Sequence, residues 1–504
     1  MASTGNVELQ AGLPDLSHHL SQEARDRLPN TMKVFLRTVE DASQLVSLAN
    51  GDPHPTLYPI SQIDYHIPDL TSLDSLSSWL DHSGATRKLS AFNGTGECAL
   101  DLAVAMQYST GLGLPVLRQR FSEINELLHS PRPCTQNVIL TLGNADGMTK
   151  LYRLLGSPGD TFLVEEYSFC GLTNAPLAQG VKWQPIKIDH MGLIPEEMEG
   201  ILSSWDEGSM GRRPHVLYCI PTGQNPTGAT LPVERRRAIY AIAQKYDVII
   251  LEDDPYYFLQ YKQETSVVST ESPGQVSPDV ISRFVKGTVP SFLSLDVDGR
   301  VIRCDSVSKT FAPNMRLGWI TCNQLFCRKL EILTDNSTQH PHGLGQSLMA
   351  EVLAPTGWGV DGYIRWIWAM RNEYGRRRNI FFDIFQREVG RHGYAAATLP
   401  TAGMFFWVKV NIEKHPKYHV NDVSPKYGPK TNAKGLLDEL FGLCVARGVL
   451  VMPGALFAIQ TPTGSSENHI LDRPYFRMTF VGVDETIEKG VTLFGKALLE
   501  FFSA

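Results

Sequence analysis

No apolar run in the 504-residue chain approaches the roughly 20 residues needed to cross a bilayer. The first twenty residues, MASTGNVELQAGLPDLSHHL, contain no apolar stretch of the kind that directs secretion. No CxxC pair occurs. The eight cysteines stand singly at 98, 134, 170, 219, 304, 322, 327 and 444, so neither a zinc knuckle nor a disulfide framework is indicated. There is no excess of positive charge either. The formal net charge is −7, which argues against general nucleic-acid binding, since that requires a basic face. Internal repeats are absent. These absences leave a soluble protein with reduced thiols, and a cytoplasmic location is expected. The charge does not exclude an anionic ligand, because anion sites are local.

Short apolar stretches dominate what is present. Strands are expected at Val138–Leu142, Thr161–Glu165, Val181–Ile188, Val216–Ile220, Val248–Glu252, Val301–Asp305 and Leu317–Thr321. Helical segments alternate with them, most clearly at Pro232–Tyr246. Buried strands alternating with helices imply an α/β fold with a mostly parallel sheet, whose ligands bind at the carboxyl ends of the strands. The expected division is an N-terminal arm or lid at 1–45, outside the core, then 46–90 as connecting loop and the first part of a smaller domain. A large domain follows at 91–375, with a surface insertion at 261–299, and a smaller α+β domain at 376–504. A VSLA strand is expected near 46–49, irregular loop at 60–90, and a long helix from Gly359 to about Val389. Two loops are expected near His415–Asn432 and Thr461–Arg473.

Four segments carry chemistry. In Cys304-Asp-Ser-Val-Ser-Lys-Thr-Phe-Ala-Pro-Asn-Met-Arg-Leu-Gly318, a strand runs into a small polar turn that presents Lys309. Partial burial and a nearby arginine lower an amine's pKa, and a neutral amine is what forms an imine with a carbonyl cofactor. Ser306, Ser308 and Arg316 form a donor set suited to phosphate. In Val248-Ile-Ile-Leu-Glu-Asp-Asp-Pro-Tyr-Tyr257, a strand ends in three acids, and Tyr256 follows Asp253 by three residues. A carboxylate beneath a pyridine ring keeps the ring nitrogen protonated. In Tyr218-Cys-Ile-Pro-Thr-Gly-Gln-Asn-Pro-Thr-Gly228, Asn225 lies too far from the next helix to cap it. In Leu140-Thr-Leu-Gly-Asn-Ala-Asp-Gly-Met-Thr-Lys150, a glycine turn opens a helix whose N-terminus can bind phosphate.

Together SVSKTFAPNMRLGW, LEDDPYYFLQ, IPTGQNPTG and RPYFRMTF resemble the class I/II aminotransferases, the fold-type I pyridoxal-phosphate (PLP) enzymes. Within these the chain resembles the branch of kynurenine/α-aminoadipate and fungal aromatic aminotransferases, over about residues 45–485. The resemblance implies a large domain with a seven-stranded sheet, a homodimer, and amino-acid and 2-oxo-acid substrates. Lys309 would hold PLP as a Schiff base and shuttle the proton. Asp253 would pair with the ring nitrogen, Tyr256 and Asn225 would bond the ring hydroxyl oxygen, and Tyr167 would stack on the ring face. Ser306, Ser308, Arg316 and the backbone of Asn144 and Ala145 would hold the phosphate, with Tyr108 contributed by the neighbouring subunit. Arg477 would clamp the substrate carboxylate. Tyr58, Tyr65 and Phe405 are candidates for an apolar side-chain pocket.

Three departures from the family pattern lie around the substrate and phosphate. Asn50 replaces a glycine in Ala49-Asn-Gly-Asp-Pro53, Ala145 removes a side-chain donor from the phosphate turn, and the arm reads Asn30-Thr-Met-Lys33 without its proline. A β-eliminating or C–S-cleaving lyase is therefore the alternative to a transaminase on this scaffold. A PLP-bound sensor domain is the non-enzymatic reading. Only about 45 residues precede the resemblance, and they lack a basic patch.

Overall fold

The computed structural model describes residues 13–37, 48–49, 51–70, 75–94, 96–261, 279–424, 428–459 and 473–503. Seven strands form the large sheet: β1 (Asn137–Thr141), β2 (Thr161–Glu165), β3 (Lys182–Ile186), β4 (Val216–Cys219), β5 (Ile249–Asp253), β6 (Val301–Ser306) and β7 (Gly318–Cys322). Their order across the sheet is β1-β7-β6-β5-β4-β2-β3. Only β7 runs antiparallel to its neighbours. The other pairs are parallel. Every residue of β2, β4, β5, β6 and β7 is buried, which explains why these strands read as continuous apolar runs rather than alternating ones.

The smaller domain is built on a four-stranded antiparallel sheet, ordered Ala395–Ala397, Phe405–Val410, Tyr475–Thr479, Met452–Pro453. Helix Gly359–Glu388 reaches both sheets. Tyr363, Ile364 and Ile367 pack with Leu117, Phe121 and Trp319 beside the large sheet. Further along, Phe381 stacks on Phe406 of the small sheet at 4.3 Å.

Four local expectations change. Residues 60–90 are not irregular loop, because Gln62–Pro68 pairs antiparallel with Thr86–Phe92. Ile67 and Leu89 point inward while the outer face stays polar, and that face gave the segment its loop-like composition. The N-terminal segment is not outside the core. Leu16, Leu20 and Ala24 are at most 5% exposed and pack with Leu151 and Leu154, and Ser21 N–H donates to the Leu154 carbonyl at 2.8 Å. Between 279 and 299, where surface insertion was expected, Phe284, Phe292 and Leu293 are buried. The Glu252 carboxylate also accepts from the N–H groups of Phe292 and Leu293. Within His415–Asn432, Val420–Ser424 pairs with Gly428–Thr431 as a hairpin. Of the expected VSLA strand, Val46 and Ser47 lie outside the described residues, as does most of the Thr461–Arg473 loop, while Leu48 and Ala49 are not in a strand.

Candidate active site

The carboxyl ends of β1, β4, β5 and β6 open on the same edge of the sheet. β5 delivers Asp253. β6 passes straight into the short 3-10 turn Val307–Lys309, and β1 passes through Gly143 into helix Asn144–Leu155.

The three acids ending β5 have two different fates, because side chains alternate along a strand. Glu252 and Asp254 meet the fully buried Arg303, at 3.1 and 3.0 Å, and Asp305 completes that cluster at 2.7 Å. Asp253 faces the other way and receives only neutral donors. Asn144 Nδ2 donates to its Oδ1 at 2.7 Å, and the Tyr218 hydroxyl donates to its Oδ2 at 3.0 Å. Burial pushes the Asp253 carboxyl up to about 6, against the lowering effect of those two hydrogen bonds. The Asn144 side chain was missed by sequence reasoning, which gave this residue only a backbone role. Its carboxamide also donates to the Cys304 carbonyl at 3.2 Å, while its Oδ1 is buried with no hydrogen-bond partner among the described residues.

Lys309 is half-buried. Desolvation holds its amine below the ordinary lysine range, and the positive charges of Arg477 and Arg316 add to the effect. Beside it the Ser306 hydroxyl donates to Ser308 Oγ at 2.7 Å and accepts from the Ser308 N–H at 2.9 Å. Arg316 adopts a left-handed backbone conformation, φ +47°. It donates to the carbonyls of Leu142 (2.5 Å) and Pro313 (3.0 Å). A Cβ on Gly143 would sit 2.7 Å from the Arg316 guanidinium, so glycine is required for the arginine to reach the helix start. Gly143 cannot cap that helix with a side chain, and its first-turn N–H groups face the same corner. Ala145 is exposed there, and its carbonyl accepts from Thr149.

Arg477 lies across the opening. It donates to Asn225 Oδ1 at 2.7 Å, and its guanidinium rests over the rings of Phe405 (4.4 Å) and Phe457 (4.7 Å). Tyr256, 4% exposed, meets Phe405 edge-on at 5.8 Å. Burial raises its hydroxyl well above the ordinary tyrosine range, against a lowering effect of the nearby Asn225 side chain. Tyr167, 2% exposed, stands edge-on to Trp407 at 5.2 Å, and Trp407 stacks on Tyr475 at 5.0 Å. Trp407, Phe457 and Tyr475 were not anticipated, since two strands and one turn, separated in sequence, bring them together. Of the expected pocket aromatics, Phe405 is at the site. Tyr65 instead packs with the Phe121–Trp319 cluster, and Tyr58 donates to the Pro53 carbonyl. Tyr108 is 65% exposed. Asn50 lies outside the described residues.

A depressed amine, a buried carboxylate awaiting a cation, and a corner of phosphate donors thus converge on one strand-end crevice. The family model for aminotransferase class I and II matches residues 97–493. The chain belongs to this family. It is 46% identical to the L-tyrosine:2-oxoglutarate aminotransferase amt1 of Serpula lacrymans, covering 97% of this chain and 96% of the relative. It is 44% identical to the corresponding atrD of Tapinella panuoides, covering 97% and 96%. Among solved structures, aminotransferase Aro8 from Candida albicans superposes with a TM-score of 0.84 at 31% identity, covering 98% of this chain and 99% of that one.

As a fold-type I aminotransferase, the protein uses pyridoxal 5'-phosphate to exchange amino groups between amino acids and 2-oxo acids. The residues present fit that cofactor. Arg316, Ser306, Ser308 and the open helix N-terminus match a phosphate. Asp253, raised and bonded only to neutral donors, matches the ring's protonated nitrogen. No helix among the described residues is long and apolar enough to cross a membrane.

Proposed function

We propose that the preferred amino donor is an aromatic L-amino acid, with a 2-oxo acid such as 2-oxoglutarate as acceptor. The observation carrying this reading is the surrounding of Arg477. The guanidinium that receives the substrate carboxylate is flanked by Phe405 and Phe457, with Tyr256, Tyr167 and Trp407 in ring contact with that group. The two basidiomycete relatives, named for tyrosine and 2-oxoglutarate, support it.

The geometry supports the following roles. Bound PLP supplies the carbonyl that takes up the amino group and a ring that accepts electrons. Arg316, Ser306, Ser308 and the backbone at Asn144 and Ala145 hold its phosphate. Asp253 would pair with the cofactor's ring nitrogen, and Asn144 and Tyr218 fix the carboxylate's orientation. Asn225 and Tyr256 would bond the hydroxyl oxygen of the bound cofactor, and Tyr167 would cover its ring. Arg477 clamps the substrate carboxylate, which fixes the Cα–H bond toward Lys309. Lys309, its amine held below the ordinary lysine range, would take up the Cα proton and release it again within the same site. Both half-reactions use the same lysine, so ping-pong kinetics are expected. Lys309→Ala loses turnover by about 10²–10⁴-fold or more, the range of a positioned acid–base group.

The active unit is a homodimer in which Tyr108 reaches the partner's phosphate. The exposure of Tyr108 with Leu57 and Val104 supports this reading. Among the described residues seven cysteines are free, five of them buried, which fits a cytoplasmic setting. The elimination reading rests on Asn50 and the arm, and no observation on the described residues favours it.

The test is a panel of amino donors against 2-oxoglutarate. Tyrosine, phenylalanine and tryptophan should show the highest kcat/KM. Preference for alanine or aspartate would overturn the assignment, and pyruvate and ammonia released without an acceptor would favour the lyase.

A further inference from the structure

The sheet edge opposite the active site carries a second cluster of ligand-type side chains. Asp160 immediately precedes β2, His215 precedes β4, and Asp247 lies just before β5. Asp247 ends helix Val233–Tyr246 in a left-handed conformation, φ +55°. The segment Leu16-Ser-His-His-Leu20 packs against this edge because Leu16 and Leu20 are buried in the core. That anchoring turns His18 and His19 toward Asp247. His18 Nε2 lies 2.6 Å from Asp247 Oδ2, and His19 Nε2 lies 3.1 Å from Asp247 Oδ1.

We propose that His18 Nε2, His19 Nε2 and the Asp247 carboxylate form a zinc-class divalent metal site that clamps the N-terminal segment to the large sheet. The three ligand atoms lie within 4.8 Å of one another. His19 is 1% exposed, and Asp247 approaches its Nε2 off the ring's donor direction, so this buried nitrogen makes no aligned hydrogen bond. Two ligands on a tetrahedral zinc stand roughly 3.3 Å apart, given bonds of about 2.0–2.1 Å. The His19–Asp247 spacing already matches. His18, half-exposed, need only swing outward from its hydrogen bond.

The outer shell suits a metal-bound imidazole. His19 Nδ1 faces His215 Nδ1 at 3.1 Å, and His215 Nε2 faces Asp160 Oδ2 at 3.6 Å. With His19 Nε2 on the metal, its Nδ1–H donates to His215, whose Nε2–H points to Asp160. This chain fixes both tautomers, as a carboxylate does behind a zinc-bound histidine. Two cations lie nearby. Arg300 Nη1 is 3.4 Å from Asp247 Oδ1, but its Nε and Nη2 are held by Asp298 at 2.9 Å, which balances its charge. Arg212 is turned to the His18 carbonyl at 3.2 Å. The fourth metal position opens to solvent through the exposed sides of His18 and Asp247.

The test uses chelator-treated, PLP-loaded full-length protein titrated with zinc chloride, followed by calorimetry and thermal melting. Cobalt(II) serves as a spectroscopic probe. One metal per chain, a zinc-dependent rise in Tm, and visible absorption of low-symmetry cobalt are expected. His18→Ala and Asp247→Asn, both at half-exposed positions, should each weaken binding by at least about 100-fold, beyond the 10–100-fold of outer-shell losses. Both should abolish the Tm shift. Absence of stoichiometric binding would overturn the proposal, as would equal binding by the wild type and both variants.

Discussion

Adjacent residues of β5 show two ways of burying a carboxylate. Glu252 and Asp254 lie against Arg303, with Asp305 beside them, and all four side chains are fully buried. Asp253, between them in sequence, is just as deeply placed yet meets only an amide and a phenol. The first group is complete within the chain. The second, in the proposed reading, is completed by the protonated ring of the bound cofactor. What separates a structural acid from a functional one here is the face of the strand, not burial or residue type.

Removing the cation from the self-contained group should have the largest effect on stability. Arg303→Met leaves Asp254 and Asp305 without a partner guanidinium and Glu252 with only Arg236, at 3.7 Å, and should cost about 3–5 kcal/mol, read as a lower urea midpoint. If stability is unchanged, the structural side of the comparison fails.

The pH dependence sharpens the other side. Asp253 titrates near 6 in the cofactor-free chain, above its ordinary value of 3.8. A carboxyl raised on folding contributes stability that is fully present below the unfolded pKa and lost as pH rises through the folded one. Between about pH 4 and 6 the apoprotein should therefore lose about 3 kcal/mol through this group. The loss should be absent in Asp253→Asn and in the PLP-loaded protein, where the ring's cation keeps the carboxylate ionised. Parallel melting curves across pH 4–7 would contradict this.

A smaller effect is expected from Asn144→Ala. It removes one hydrogen bond to a charged group, about 1.5–3 kcal/mol, or roughly 10–100-fold in kcat. The pH profile should also shift upward, because Asn144 is a donor that lowers the Asp253 carboxyl. A fall in stability without any change in kcat would make Asn144 merely structural.

Much of this site was legible in the sequence because strand ends are. An apolar run that stops at Asp253, at Lys309 or before Asn225 announces both the sheet and its reactive edge. The orientation of side chains was not legible. Nothing in Gly143-Asn-Ala shows that the Asn144 carboxamide turns back to β5, since this depends on the pairing of β1, β7 and β6. The aromatic wall of Trp407, Phe457 and Tyr475 depends likewise on the small sheet's register. The N-terminal segment carried a signal that its polar composition obscured. Leu16, Leu20 and Ala24 recur every four residues, on the face that meets the core. The strand pair Gln62–Pro68 and Thr86–Phe92 was hidden because the residues of its outward face, among them Gln62, Asp64, His66 and Lys88, are polar.

The most direct measurement is the first half-reaction of two neighbouring variants. PLP-loaded Asp253→Asn and Asp254→Asn are mixed with L-tyrosine, and conversion of the cofactor from its aldehyde to its amine form is followed by absorbance. Asp254→Asn should convert at close to the wild-type rate while melting earlier. Asp253→Asn should keep its fold and convert at least about 100-fold more slowly, as loss of a group acting on the reacting ring implies. Equal rates in the two variants, or the slower rate in Asp254→Asn, would contradict the assignment of Asp253 to the cofactor.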